Sequence, residues 1–146
     1  MVTLKNEEDT KRFATILARN VKPGSTTGLV GQLGSGKTTL VRYWVEALGG
    51  SDVSSPTFVL AHHYETPDCA VEHWDLYRLG TIPGELLEPP ERWTVRVVEW
   101  ADKFPEALQL DLQISIAIAD QGQSREVSLS GPLSEALKVE LETSSG

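Results

Sequence analysis

Apolar residues change their spacing several times along the chain, and each change marks an element. Phe13, Ile16 and Leu17 recur at i, i+3 and i+4, one face of a helix. Asn6 can cap that helix, and Glu7, Glu8 and Asp9 favour its N-terminal end. The pattern predicts a short strand over residues 1–4, then this helix to about Asn20, then a turn at Lys22-Pro23-Gly24-Ser25. Thr26 to Val30 reads as a short strand. From Thr39 onward, Leu40, Val41, Trp44, Val45 and Leu48 share one side of a second helix, closed by Gly49-Gly50. Residues 58–64 and 69–76 are extended runs joined by the turn Thr66-Pro67-Asp68, a predicted β-hairpin. Pro83, Gly84, Pro89 and Pro90 limit residues 80–92 to one short helical turn in a surface segment. Val95-Arg96-Val97-Val98 is a strand ending at Glu99-Trp100, followed by a polar turn to Phe104-Pro105. Leu112, Ile114, Ile116 and Ile118 alternate with Gln113, Ser115 and Ala117, and residues 125–129 repeat that period after Gln121-Gly122, a second hairpin. A short C-terminal helix is expected over residues 133–141. The sum is an α/β chain with helices packed on a central sheet.

Between the strand ending at Val30 and the second helix lies Gly31-Gln32-Leu33-Gly34-Ser35-Gly36-Lys37-Thr38-Thr39, a glycine, four residues, then Gly-Lys-Thr. This is the spacing of a loop that wraps phosphate. A polyphosphate needs several backbone N–H groups converging on it, and Gly34 and Gly36 let the chain curl without a Cβ in the way. Lys37 brings a mobile charge to the β and γ phosphates, and the Thr38 hydroxyl can ligate Mg²⁺. The following helix points its positive end at the anion. Leu33, Gly34, Ser35, Gly36, Lys37, Thr38 and Thr39 are therefore the candidate nucleotide-binding residues. The fold class sharpens to α/β of the P-loop NTPase-like kind, a mixed central sheet with flanking helices and antiparallel hairpins, in one domain over residues 1–146.

Such a loop needs an acid at the end of a neighbouring strand to complete the metal shell. Glu99 and Asp75 both qualify, and spacing does not rank them. His73 would share a strand face with Asp75, as a general base or as a hydrogen-bonded histidine. Arg78 is either a stabiliser of phosphoryl charge or a surface ion pair. Ser55 and Thr57 flank Pro56, in a loop whose hydroxyls could sense the γ-phosphate.

Composition narrows the partners. Lys and Arg number 13 against 21 Asp and Glu, a net charge of −8 that repels a nucleic-acid backbone, and no basic run offsets it. A single cysteine, Cys69, forms no internal disulfide and fits a reducing compartment. No signal-peptide core and no membrane-length apolar stretch is visible, so a cytoplasmic protein is expected.

Four separated pieces, the loop at residues 31–39, Ser55-Pro56-Thr57-Phe58, His73-Trp74-Asp75-Leu76-Tyr77-Arg78-Leu79 and Val98-Glu99-Trp100, resemble in order and spacing the TsaE (YjeE) family. These are bacterial P-loop ATPases required, with the TsaB and TsaD proteins, for threonylcarbamoyladenosine modification at position 37 of tRNA. The likeness implies that residues 33–38 wrap the phosphates of ATP. It implies Thr38 and Glu99 as Mg²⁺ ligands, and Ser55 and Thr57 as part of a switch-like loop. Asp75 would then position water, and Trp100 would belong to the nucleotide-side wall or a partner-facing surface. Glu7 and Thr10 match the family's E-x-x-T near the adenine, and Arg125 matches a basic residue of the last hairpin on the same side. Gln32 stands where the family usually carries Asp, and residues 80–94 are short and proline-rich for the family.

The resemblance implies a Mg²⁺-dependent ATPase, weak alone, that drives turnover of a TsaB–TsaD complex, with Lys37 and Asp75 as catalytic residues. Contact with tRNA would be indirect, through that complex. Two other classes share the loop: a small-molecule kinase, which usually closes an arginine-bearing lid, and a nucleotide-dependent binding module without catalysis.

Overall fold

The computed structural model describes residues 2–50 and 61–144. Its elements run β1 (Val2–Leu4), α1 (Glu7–Asn20), β2 (Thr26–Val30), α2 (Lys37–Ala47), β3 (Ala61–Glu65), β4 (Ala70–Asp75), β5 (Thr94–Glu99), β6 (Leu112–Ala119), β7 (Ser124–Ser130) and α3 (Ser134–Ser144). The described strands form one sheet in the order β1-β7-β6-β2-β5-β4-β3. β6, β2, β5 and β4 pair in parallel, and the antiparallel hairpins β3–β4 and β6–β7 flank them. β1 closes the far edge, antiparallel to β7. The mixed sheet with flanking helices is the predicted fold class.

Parallel strands are covered on both faces, so they carry apolar residues on both. Every residue of β5 is buried. Its Val95 and Val97 join the larger core with Phe13, Leu17, Leu29, Leu40, Trp44 and Ile114, beneath α1 and α2. Val98 faces the other way, into a smaller cluster with Trp74, Leu76, Leu86 and Leu108. A buried leucine such as Leu29 or Leu112 contributes roughly 2 kcal/mol of transfer free energy.

Local signals mostly place the ends as expected. The Asn6 side chain accepts the Asp9 N–H at 2.9 Å and caps α1, and Gly49 takes a positive φ of 95° after α2. Three boundaries differ. α2 begins at Lys37, two residues before the expected start at Thr39, and Gly36 adopts the left-handed conformation at the N-cap. α3 runs on to Ser144, with Arg19 and Asn20 of α1 both bonding its Glu140. Residues 80–92 contain one 3-10 turn, Gly84–Leu87, as the prolines require, yet the segment is not merely superficial. Leu86 is buried, and Arg96 of β5 ties the segment down by donating to the Glu88 carbonyl at 2.6 Å and to the Glu72 carboxylate at 2.7 Å.

Register decides where chemistry can sit. Leu29 of β2 is opposite Glu99 of β5, and Glu99 is opposite Asp75 of β4. The loop after β2 and both candidate acids therefore meet at the carboxyl edge of the parallel strands, where open α/β sheets carry their sites. Among the described residues no helix is long and apolar enough to cross a membrane.

Candidate functional site

The turn from β2 into α2 depends on three glycines with two different duties. At Gly31 a Cβ would lie 2.6 Å from the Ile116 carbonyl oxygen and 2.7 Å from Ser35 Oγ, so the backbone there is packed against β6 and admits no side chain. Gly34 and Gly36 have φ of 79° and 105°, and a Cβ at either would meet no protein atom within 4 Å. Their glycine identity is set by conformation, and the open space beside them is available to a ligand. Gly36 gives α2 no side-chain cap, which leaves the first N–H groups of the helix for an anion.

Lys37 folds back along the loop. Its Nζ donates to the carbonyls of Gly31 and Gln32 and lies 4.1 Å from the centre of the Trp100 ring. Burial pulls the ammonium below the usual lysine range, and the carboxylates of Glu99, Asp75 and Asp102 oppose that shift. A polyphosphate in the loop would add negative charge on the opposing side. Among the described residues lining the phosphate-side cavity of about 290 Å³, Lys37 is the one cation.

The two acids are distinguished by their neighbours. Thr38 Oγ1 lies 3.1 and 3.0 Å from the two oxygens of Glu99, which is almost fully buried. Asp75 also lines the cavity but is half-buried, and its Oδ1 accepts the Tyr77 N–H at 3.0 Å. A hydroxyl beside a carboxylate is the hard-oxygen donor set of Mg²⁺, which keeps several waters and phosphate oxygens and needs only one or two protein ligands. Among the described residues no group of three or more His, Cys, Asp or Glu side chains is placed to hold a metal ion by itself. His73 contacts Glu99 from behind and does not line the cavity.

A second cavity of about 280 Å³ opens on the other side of the loop and shares Ser35, Gly36 and Thr39 with the first. Glu7, Thr10 and Arg125 all line it. Arg125 spends its donors on protein: Nε reaches the Ser35 carbonyl at 2.9 Å and Nη2 the Gly34 carbonyl at 3.2 Å. Nη1 binds the Gly122 and Ser124 carbonyls at 3.1 and 3.0 Å. It therefore clamps the loop to the β6–β7 turn. Because a trans peptide sets N–H opposite C=O, holding the Ser35 carbonyl turns the Gly36 N–H away from Arg125. The side chain shapes the loop from outside in this state.

Trp100 takes a left-handed conformation, φ 61°, rare for a side chain of this size. Its N–H donates to the Leu29 carbonyl at 2.9 Å and its own carbonyl accepts from Lys103, bonds that hold the turn. The ring then stands between Lys37 and Tyr77, whose ring centre is 4.7 Å away. Tyr77 and Asp102 went unassigned by sequence reasoning. Tyr77 directly follows Asp75-Leu76, which could have marked it, whereas nothing in the sequence singles out Asp102. Both line a more open groove of about 530 Å³ with Gln32 and Leu33. The Gln32 carbonyl accepts from Lys37, while the residue itself lines the groove. Arg78 is exposed. Ser55 and Thr57 lie outside the described residues.

Comparison with known proteins matches the chain to one family. Residues 4–127 fit the family model described as "Threonylcarbamoyl adenosine biosynthesis protein TsaE". A tRNA threonylcarbamoyladenosine biosynthesis protein TsaE from Aquifex aeolicus is 43% identical over 128 residues, 85% of this chain and 91% of the relative. The protein of that name from Bacillus subtilis is 37% identical over 127 residues, covering 84% and 80%. One from Rickettsia felis is 32% identical over 130 residues, covering 84% and 75%. The crystal structure of YdiB from Bacillus subtilis superposes with a TM-score of 0.74 at 30% identity, covering 99% of this chain and 95% of that one.

Proposed function

The chain belongs to the TsaE family of threonylcarbamoyl adenosine biosynthesis proteins, and from that premise we propose that it is a Mg²⁺-dependent ATPase whose cycle supports turnover of a TsaB–TsaD complex in tRNA modification. The observation that carries this reading is the contact of Thr38 with both oxygens of buried Glu99, directly beneath a loop that holds Lys37. Water would attack the γ-phosphate, and catalysis would come from position and charge.

In this reading Lys37 leaves its loop carbonyls to meet the β and γ phosphates, while the N–H groups at the start of α2 face the same oxygens. Thr38 and Glu99 would hold Mg²⁺, which would supply charge neutralisation on the phosphates. Asp75 Oδ1 accepts the Tyr77 N–H, which fixes the carboxylate at the cavity wall, where it would accept a hydrogen bond from the attacking water. Glu7 and Thr10 contact the adenosine end in the second cavity, and Arg125 holds the loop between the two. Lys37 being the one cation on the phosphate side among the described residues, hydrolysis by the chain alone is slow, and a partner completes the charge. With a net charge of −8, the chain meets tRNA only through that complex, in the cytoplasm.

The kinase reading requires arginine to close over the transferred phosphate. Arg92 is the only arginine of residues 80–94, and its backbone lies beside Gly24, which precedes β2 at the edge of the sheet opposite the loop. A binding module without turnover would share the site but release no phosphate. Immobilised chain is expected to retain TsaD, with TsaB present, when ATP and Mg²⁺ are supplied and to lose it on their removal. Failure to retain TsaD under either condition counts against the assignment of partners.

A further inference from the structure

The role of His73 is not set by its sequence position, which allows a general base as readily as a packing residue. It lies on β4 two residues before Asp75, with its backbone opposite Val97 of β5. The imidazole is fully buried and shares no surface with the phosphate-side cavity. A base must reach the water it activates, and His73 is not among the described residues that line the cavity where that water would stand.

Its polar contacts point elsewhere. Nε2 is 2.5 Å from Glu99 Oε2, and Nδ1 is buried with no hydrogen-bond partner among the described residues. A carboxylate only accepts hydrogen bonds, so Nε2 is the donor in this contact. Thr38 faces the same carboxylate from the cavity side, within hydrogen-bond distance of both oxygens. Glu99 is therefore gripped at Oε2 from the interior, and Oε1, which His73 does not touch, faces Thr38 on the cavity side. A carboxylate on a strand end has rotational freedom about its last bond. A donor fixed on one oxygen removes that freedom and sets the direction in which the other presents its lone pairs.

We infer that His73 is a positioning residue that orients Glu99 for the divalent cation, rather than a base in the hydrolysis step. This rests on the nucleotide and Mg²⁺ reading above. It places the imidazole outside the reacting shell and makes its effect one of metal affinity rather than of nucleotide affinity.

Two polar substitutions separate orientation from packing. His73→Gln carries an N–H donor to about the reach of Nε2, whereas His73→Asn stops near the reach of Nδ1. Mn²⁺ binding to the ADP-loaded protein is measured by electron paramagnetic resonance, and ADP binding is measured separately in EDTA. His73→Asn is expected to weaken Mn²⁺ about 10-fold, with ADP affinity in EDTA within about twofold of wild type, and His73→Gln to recover most of the loss. Equal Mn²⁺ affinity in wild type and His73→Asn overturns the inference. So does an equal loss in Gln and Asn, or a parallel loss of ADP binding, each of which assigns His73 to packing alone. If the wild-type chain with ADP takes up no Mn²⁺, the Mg²⁺-nucleotide reading itself falls, and the orienting role with it.

Discussion

Lys37→Ala is expected to weaken ATP binding by about 100-fold, the loss of a charge-assisted contact to phosphate worth roughly 1.5–3 kcal/mol. Two consequences of the structure make the effect large. Lys37 is the one cation among the described residues lining the phosphate-side cavity, so nothing else there replaces its charge. Its Nζ also bridges the Gly31 and Gln32 carbonyls, so the truncation loosens the loop that must receive the anion. The fold should survive, because removing a buried ammonium relieves a desolvation cost while the glycine turns and the core beneath α2 stay intact. Near-normal affinity in titration calorimetry would remove the nucleotide from this loop.

The second large effect falls on turnover. Glu99→Ala deletes the carboxylate that faces Thr38 and is expected to slow Mg²⁺-dependent phosphate release about 100-fold, on the scale of losing one preorganised electrostatic group. Binding of ATP in EDTA should change only a few-fold, since the loop amides and Lys37 remain. Because His73 Nε2 and Thr38 Oγ1 both lose their acceptor, the same variant should lose roughly 1–3 kcal/mol of stability. Glu99→Gln, nearly isosteric, keeps an acceptor and separates the two effects. Asp75→Ala should leave metal affinity closer to wild type while slowing turnover, and a larger loss of metal affinity in Asp75→Ala than in Glu99→Ala would reverse the ranking of the acids.

That ranking shows what the sequence could and could not say. The Gly-x-x-x-x-Gly-Lys-Thr spacing is local, and local spacing placed the loop between a strand and a helix. Turn chemistry at Thr66-Pro67-Asp68 marked the first hairpin and period-2 alternation the second, signals that are local because each strand pairs with its sequence neighbour. Which acid meets Thr38 depends on strand order, and β5 lies beside β2 although β3 and β4 come between them in the described sequence. No spacing rule carries that information; only family resemblance ranked Glu99 first. Arg125 reaches the loop from some ninety residues away for the same reason, and its Nε and Nη2 donate to loop carbonyls. Residues 80–92 read as surface because of their prolines, while the anchor that folds Leu86 inward is Arg96, a charged residue inside an apolar strand. A buried arginine is invisible to a periodicity argument until its partner Glu72 is placed beside it.

The central claim is that Gly31 to Thr39, Glu99 and Asp75 together run a Mg²⁺-dependent ATP hydrolysis that partners accelerate. Its most direct test is steady-state phosphate release by the wild-type chain, alone and with cognate TsaB and TsaD, in Mg²⁺ and in EDTA. The account predicts slow release alone, stimulation of at least about 10-fold on adding both partners, and loss of the signal in EDTA. ATP bound with no phosphate released in any mixture, or release indifferent to both Mg²⁺ and the partners, would contradict it.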